Sequence, residues 1–272
     1  MDPAALEAVV RSAIAVLALM CVVGVVGIAR RDNSIVDMFW GVAFVVAAVA
    51  AISTVDQEDR GQQAWLVLLL VVVWAARLSV HIALRRRNHH GEDWRYAAWR
   101  KQWGVRRAWL RSVLQIYLLQ GVLALCCSAA VFAVVLSDDQ QINGFAVVGT
   151  AVWFVGFAIE VIADAQLARF LARKRAGQAS GLLTAGLWSR SRHPNYFGEA
   201  VAWWGISIIA LGVPFGWIGL CSAVLVTILV RYVSGVPILE REWRSRPGFS
   251  EWATHTPIFL PRFTSPQHGA EQ

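Results

Sequence analysis

Residues Ala64-Trp-Leu-Val-Leu-Leu-Leu-Val-Val-Val-Trp-Ala-Ala-Arg-Leu-Ser-Val-His-Ile-Ala-Leu84 run directly into Arg85-Arg-Arg87. A helix needs about 20 mainly apolar residues to cross the hydrocarbon core of a bilayer. This stretch has that length and composition, and a cationic end to anchor it. Isolated ionisable groups such as Arg77 and His81 are expensive in lipid and are expected to face other helices. The stretch reads as a transmembrane helix.

Further segments of the same kind flank it, at about 6–28, 35–54, 109–136, 143–170, 197–213 and 217–234. The 272-residue chain is 57% hydrophobic and 16% charged, against about 25% charged in soluble domains. Its mean hydropathy is +0.51. The last two segments are short and joined by Gly212-Val-Pro-Phe-Gly216, which reads as a hairpin turn. The expected fold class is an all-α polytopic membrane protein with about seven transmembrane helices and a C-terminal interfacial helix. The N-terminal segment lacks a basic leader and is too long for a signal-peptide core, so it is expected to be retained as the first helix.

Charge sets the orientation. Arginines and lysines cluster at 30–31, 85–107, 173–192 and 241–262, in alternate connections. The intervening loops carry Asp56-Gln-Glu-Asp59 and Ser137-Asp-Asp-Gln140. Positive-inside asymmetry places the N-terminus outside and the C-terminus in the cytoplasm. It also accounts for the +7 net charge without nucleic acid, because juxtamembrane cations attract anionic lipid. Cys21, Cys126, Cys127 and Cys221 all fall within apolar segments and lack metal-site spacing, so neither disulfides nor a metal is expected.

Polar residues within such a chain call for an explanation. Glu160 and Asp164 are spaced i, i+4 and share a face of the fifth segment, with Gln166 nearby. Arg169, Arg173 and Arg175 follow on the same helix and at its end. Glu160 to Arg173 spans roughly 20 Å, from acceptors at membrane depth to cations at the surface. An extended dinucleotide suits such a face, with hydroxyls and amide inside and phosphates outside. The plainer reading is acids paired to other helices and arginines obeying topology.

The densest polar cluster is Trp188-Ser-Arg-Ser-Arg-His-Pro-Asn-Tyr-Phe-Gly-Glu199. Pro194 fits the first position of a helix, where its missing N–H costs nothing. Free N–H groups there, beside Arg190 and Arg192, make an anion site. His193, Asn195, Tyr196 and Glu199 complete the set, and Gly198 permits close backbone approach. Nearer the N-terminus, Asp37, Trp40, Arg77, His81, Gln115, Tyr117 and Gln120 either line a pocket for an apolar substrate with one polar end or serve as interhelical hydrogen-bond glue. The Trp-rich stretch from Gly235 to Phe263 is either an interfacial helix or a cytoplasmic cap over the site.

The run Ser191-Arg-His-Pro-Asn-Tyr-Phe-Gly-Glu199, with Glu160 and Asp164 upstream and the Pro-Gly-Phe…Phe-Leu-Pro-Arg-Phe ending, resembles the DUF1295 family. That family is related to the steroid 5α-reductase C-terminal domain and to sterol C14 reductases. The resemblance implies a membrane enzyme that binds NADPH and transfers hydride to an activated C=C bond of a lipid-like substrate. It implies one domain over 1–263, with a substrate half at about 1–136, a cofactor half at about 143–263 and a disordered tail at 264–272. Asn195 and Glu199 match the reductases' Asn-x-x-Gly-Glu motif on the nicotinamide side, and Asp164 matches their helix-five Asp, on the adenosine or ribose side. Glu160, Arg169, Arg173, Arg190, Arg192, His193 and Tyr196 join the cofactor set. Asp37 and His81 are the nearest candidates for catalytic groups. Arg-His-Pro-x-Tyr-x-Gly also resembles isoprenylcysteine and phospholipid methyltransferases, which bind S-adenosylmethionine. Their adjacent Glu-Glu pair is interrupted here as Glu240-Arg-Glu242. A non-catalytic lipid-binding relative is the third possibility.

Overall fold

A computed structural model describes residues 3–56, 60–87, 91–138 and 141–262. The tail expected at 264–272, and residues 57–59 and 139–140 of the two acidic loops, lie outside the described residues. The helices are α1 (Pro3–Ala29), α2 (Val36–Ile52), α3 (Gln62–Arg87), α4 (Trp94–Trp103), α5 (Val105–Ser112) and α6 (Leu119–Cys127). They continue as α7 (Ala129–Val135), α8 (Gly144–Arg175), α9 (Pro194–Ala210), α10 (Leu220–Ile228), α11 (Val236–Trp243) and α12 (Phe249–His255). The described residues are helical and loop, without strands.

Among the described residues, six stretches are long and apolar enough to cross a membrane: Pro3–Ala29, Asn33–Ile52, Gln62–Arg87, Arg106–Cys127, Gly144–Arg175 and Gly216–Trp243. The remaining expected segment, 197–213, is α9, which has 17 residues. Three boundaries differ from the sequence reading, each for a local reason. The fourth segment bends at Ser128, whose hydroxyl donates to the Ala124 carbonyl at 2.8 Å, a back-bond that competes with the helical ladder. The fifth runs on through Lys174 to Arg175 and stops at Gly177, whose φ of 72° suits a left-handed helix cap. The stretch expected as one C-terminal interfacial helix is two helices, α11 and α12, parted at Pro247-Gly248, where Gly248 takes a φ of 78°, and α11 falls within the stretch Gly216–Trp243.

Residue contacts group the chain into two compact units. The first comprises Met1–Val147 and Ser207–Ser222, the second Val148–Ile206 and Ala223–Gln272. In the first, α2 packs on α1 and α3. A Cβ added at Gly41 would sit 2.8 Å from the Ala75 Cα, so α2 and α3 meet backbone to backbone. Ala43, Ala47, Ala48 and Ala51 are buried beside them. Small residues are what allow such approach in lipid, where no hydrophobic force drives helices together. Buried polar ties close the rest of this unit: Ala130 N–H donates to Ser222 Oγ at 2.8 Å and Ser207 Oγ to the Gly219 carbonyl at 2.8 Å.

Candidate functional site

The second unit is organised by the contact of α8 with the start of α9. A Cβ on Gly156 would lie 2.3 Å from the Ala202 nitrogen, and one on Gly198 would lie 2.6 Å from the Glu160 nitrogen. One on Gly205 would lie 2.5 Å from the Trp153 nitrogen. No side chain fits at these points, so the helices touch along their backbones. Gly198 of the polar motif is therefore there for space.

This contact buries the acids. Glu160 is 3% exposed, Asp164 6% and Glu199 8%. Asn195, in the first turn of α9, donates from Nδ2 to Asp164 Oδ1 at 3.0 Å. The structure thus joins the two motifs through Asn195 and Asp164. The Asn195 Oδ1 is buried and has no hydrogen-bond donor among the described residues. Gln166 accepts from the Leu187 N–H at 3.0 Å and Trp188 Nε1 donates to the Ala163 carbonyl at 3.1 Å, fastening the turn before α9 onto α8. Arg169 and Arg173 are exposed further along α8.

Arg192 and His193 face elsewhere. Arg192 Nε lies 2.9 Å from Glu240 Oε1 as an ion pair, and its Nη1 donates to the Ala253 carbonyl at 3.2 Å. His193 Nε2 is 3.2 Å from the same Glu240 oxygen. A carboxylate there accepts, so Nε2 carries the proton and Nδ1 is left as an acceptor. That Nδ1 is buried and has no donor among the described residues. The His193 ring stacks on Trp243 at 5.1 Å and on Tyr196 at 5.8 Å. Burial pushes the imidazole pKa down, outweighing the pull of Glu240 in the other direction. Burial likewise lowers Arg192 against the stabilising charge of Glu240, without threatening its charge. Backbone bonds complete the clasp: Arg192 N–H donates to the Pro257 carbonyl and Arg262 N–H to the Arg190 carbonyl, each at 2.9 Å. Ser191 Oγ donates to the Phe259 carbonyl at 2.8 Å. The C-terminal stretch is bound to the motif, and Arg190 Nη1 reaches the Arg262 carbonyl at 3.4 Å.

Residues 24–256 match the family described as protein of unknown function, DUF1295. The chain belongs to the DUF1295 family. Neither the curated proteins nor the solved structures gave a match. The matched range of this DUF1295 protein takes in the Asp164–Asn195 pair and the Arg192–His193–Glu240 clasp. Sequence reasoning missed Glu240 and Trp243 as parts of the site. A buried Arg-His pair demands a counter-charge, but Glu242 offered the same charge two residues on, and it pairs instead with Arg246.

The first unit of the DUF1295 protein holds a second polar cluster. Asp37 accepts from Arg95 Nη2 at 2.7 Å and from the Tyr96 hydroxyl. Asp93 caps α4, accepting from the Arg95 N–H at 3.0 Å. Burial and the charge of Asp37 hold the Tyr96 phenol well above its ordinary pKa. For Asp93, burial pushes upward, but hydrogen bonding and charge from Arg95 prevail and leave it lowered. Asn33 donates to Ser112 Oγ at 3.0 Å and accepts from the Tyr117 hydroxyl at 2.9 Å. Tyr117 is presented by a π-helical turn, Val113–Leu118, a device common at functional sites. His81 lies half-buried on α3 and Gln115 is exposed. Asp32 and Asn33 went unnoticed in the sequence because they sit in a connection, before the second apolar segment.

Proposed function

We propose that this protein is an NADPH-dependent membrane reductase that transfers hydride to an activated C=C bond of a lipid-like substrate. One observation carries the reading: the α8–α9 site holds a buried acceptor, Asn195 Oδ1, that has no donor among the described residues. This atom lies beside Asp164, to which Asn195 Nδ2 donates, and Glu199 is buried one turn further along α9. A ligand that satisfies it must bring a hydroxyl or amide donor, as the ribose and carboxamide of a nicotinamide nucleotide do. Arg169 and Arg173 lie about 8 and about 14 Å along α8 from Asp164 by helical rise, a reach that suits phosphates. The resemblance to steroid 5α-reductase and sterol C14 reductase enzymes supports the same assignment, and positive-inside topology turns the site to the cytoplasm.

The bound cofactor would supply hydride, and the protein orients it. In this reading Asn195, Asp164, Glu160 and Glu199 hold the nucleoside, while Arg169, Arg173 and Arg190 meet the phosphates. Tyr196 supplies an aromatic wall. Arg192 and His193 are positioning residues, because their charge and ring faces are committed to Glu240 and Trp243. Asp37 and His81 remain the candidates for handling the proton. The Arg192–His193–Glu240 clasp favours a second reading, a methyltransferase using S-adenosylmethionine, since that resemblance also pairs Arg-His-Pro with a C-terminal glutamate.

Thermal melting of the purified protein separates the two. NADPH at about 100 times its Kd should stabilise the fold by about 2.7 kcal/mol. Asn195→Ala and Glu199→Ala should lose that gain while melting close to wild type without ligand. Stabilisation by S-adenosylmethionine and not by NADPH overturns the reductase reading.

A further inference from the structure

A cavity of about 380 Å³ opens in the first unit, where the end of α1, the turn before α2 and the end of α3 converge. Known small-molecule pockets run from about 300 to about 1,000 Å³, so it has room for a ligand. Its polar lining is Arg30, Asp32 and Arg86, and its apolar lining includes Val26, Met38 and Phe39. Arg86 engages Asp32 as an ion pair and also bonds Ser34, so these two charges offset each other. Arg30 leaves the lining net positive, and Arg31, Arg85 and Arg87 adjoin it in sequence. The ligand this lining selects is an anion.

The apolar wall narrows it further. Val26 lines the cavity and is also 38% exposed; Val22, one turn earlier, is 64% exposed and the adjacent Val25 65%. On a membrane-spanning α1 these exposed valines are lipid-facing surface, continuous with the cavity wall. A bare anion would leave Val26, Met38 and Phe39 uncovered, and a neutral lipid would leave Arg30 without a partner. We infer that the cavity holds the phosphate or carboxylate head of an anionic amphiphile, its alkyl chain running out over Val26 along α1. This site rests on none of the residues assigned to the cofactor.

The test uses full-length protein in neutral maltoside detergent, with dodecyl phosphate, inorganic phosphate and dodecanol as probes. Dodecyl phosphate should raise the melting temperature, and the other two at equal concentration should not. Arg30→Gln should weaken dodecyl phosphate binding about tenfold, the loss of one charge-assisted contact. Met38→Trp, which fills the cavity and leaves both arginines in place, should abolish it. Both variants should keep the wild-type response to NADPH or S-adenosylmethionine, whichever the protein binds. Native mass spectrometry from nanodiscs of mixed phosphatidylglycerol and phosphatidylcholine then identifies the source. Retained phosphatidylglycerol marks a bilayer lipid, and dodecyl phosphate binding without that enrichment marks a free amphiphile; either supports the site. Equal stabilisation by inorganic phosphate, no effect of dodecyl phosphate, or binding untouched by both variants overturns it.

Discussion

Arg192 and His193 share one oxygen of Glu240, and the sharing makes the pair sensitive in two ways. Removing the arginine leaves a buried carboxylate with only a neutral imidazole beside it. Arg192→Met should therefore destabilise the protein by about 3 kcal/mol, with Glu240→Gln in the same chain recovering part of the loss; a double-mutant cycle on melting temperatures measures the coupling. The histidine supplies the pH dependence. Its folded pKa is pushed below its ordinary value of 6.5 by burial, so below that value the unfolded chain binds the proton more readily than the folded one. Stability is then retained above pH 6.5 and falls as the pH drops through 6.5 toward the folded pKa. Melting temperatures of wild type and His193→Gln followed from about pH 7.5 to about 5.5 should show the steeper acid decline in wild type. Parallel slopes would remove His193 from the account.

The close contact of α8 with α9 turns on single glycines. At Gly198 the atoms that a Cβ would strike are backbone, of Glu160 and Gly156, and backbone cannot swing aside. Gly198→Ala should cost about 1–3 kcal/mol and weaken any ligand held by Asp164 and Asn195. Gly144→Ala, at the open start of α8, should be neutral or slightly stabilising. Melting curves of the two variants make the comparison. Much at this scale was legible beforehand. The apolar segments announced themselves by length, and Pro194 marked the start of α9. The meeting of Asn195 with Asp164 was not legible from spacing alone, because two helices joined by an irregular stretch have no fixed register. The division of the C-terminal stretch at Pro247-Gly248 was written in two breaker residues, but amphipathic periodicity on either side masked it. The clasp on Glu240 was hidden for a different reason: charge complementarity does not choose between acids two residues apart.

For the whole molecule, the count of crossings is a matter of parity. Residues 190–192, just before α9, hydrogen-bond to residues 257–262, after α12. The expected topology, an outside N-terminus and a cytoplasmic C-terminus, requires an odd number of crossings; six described stretches are long and apolar enough to cross, and α9, with 17 residues, is the segment that would make seven. A fluorescent protein fused after Phe263 should fluoresce in the cytoplasm, and alkaline phosphatase inserted at Asp56 should be active outside. Inactive phosphatase at Asp56 would reverse the topology. The clasp also has an order built into it. A ribosome delivers Arg192 and His193 long before Glu240, 47 residues after the histidine. During synthesis the basic pair must wait in the membrane edge without its acid, and nascent chains stopped short of residue 240 should be recognised as unfinished and degraded.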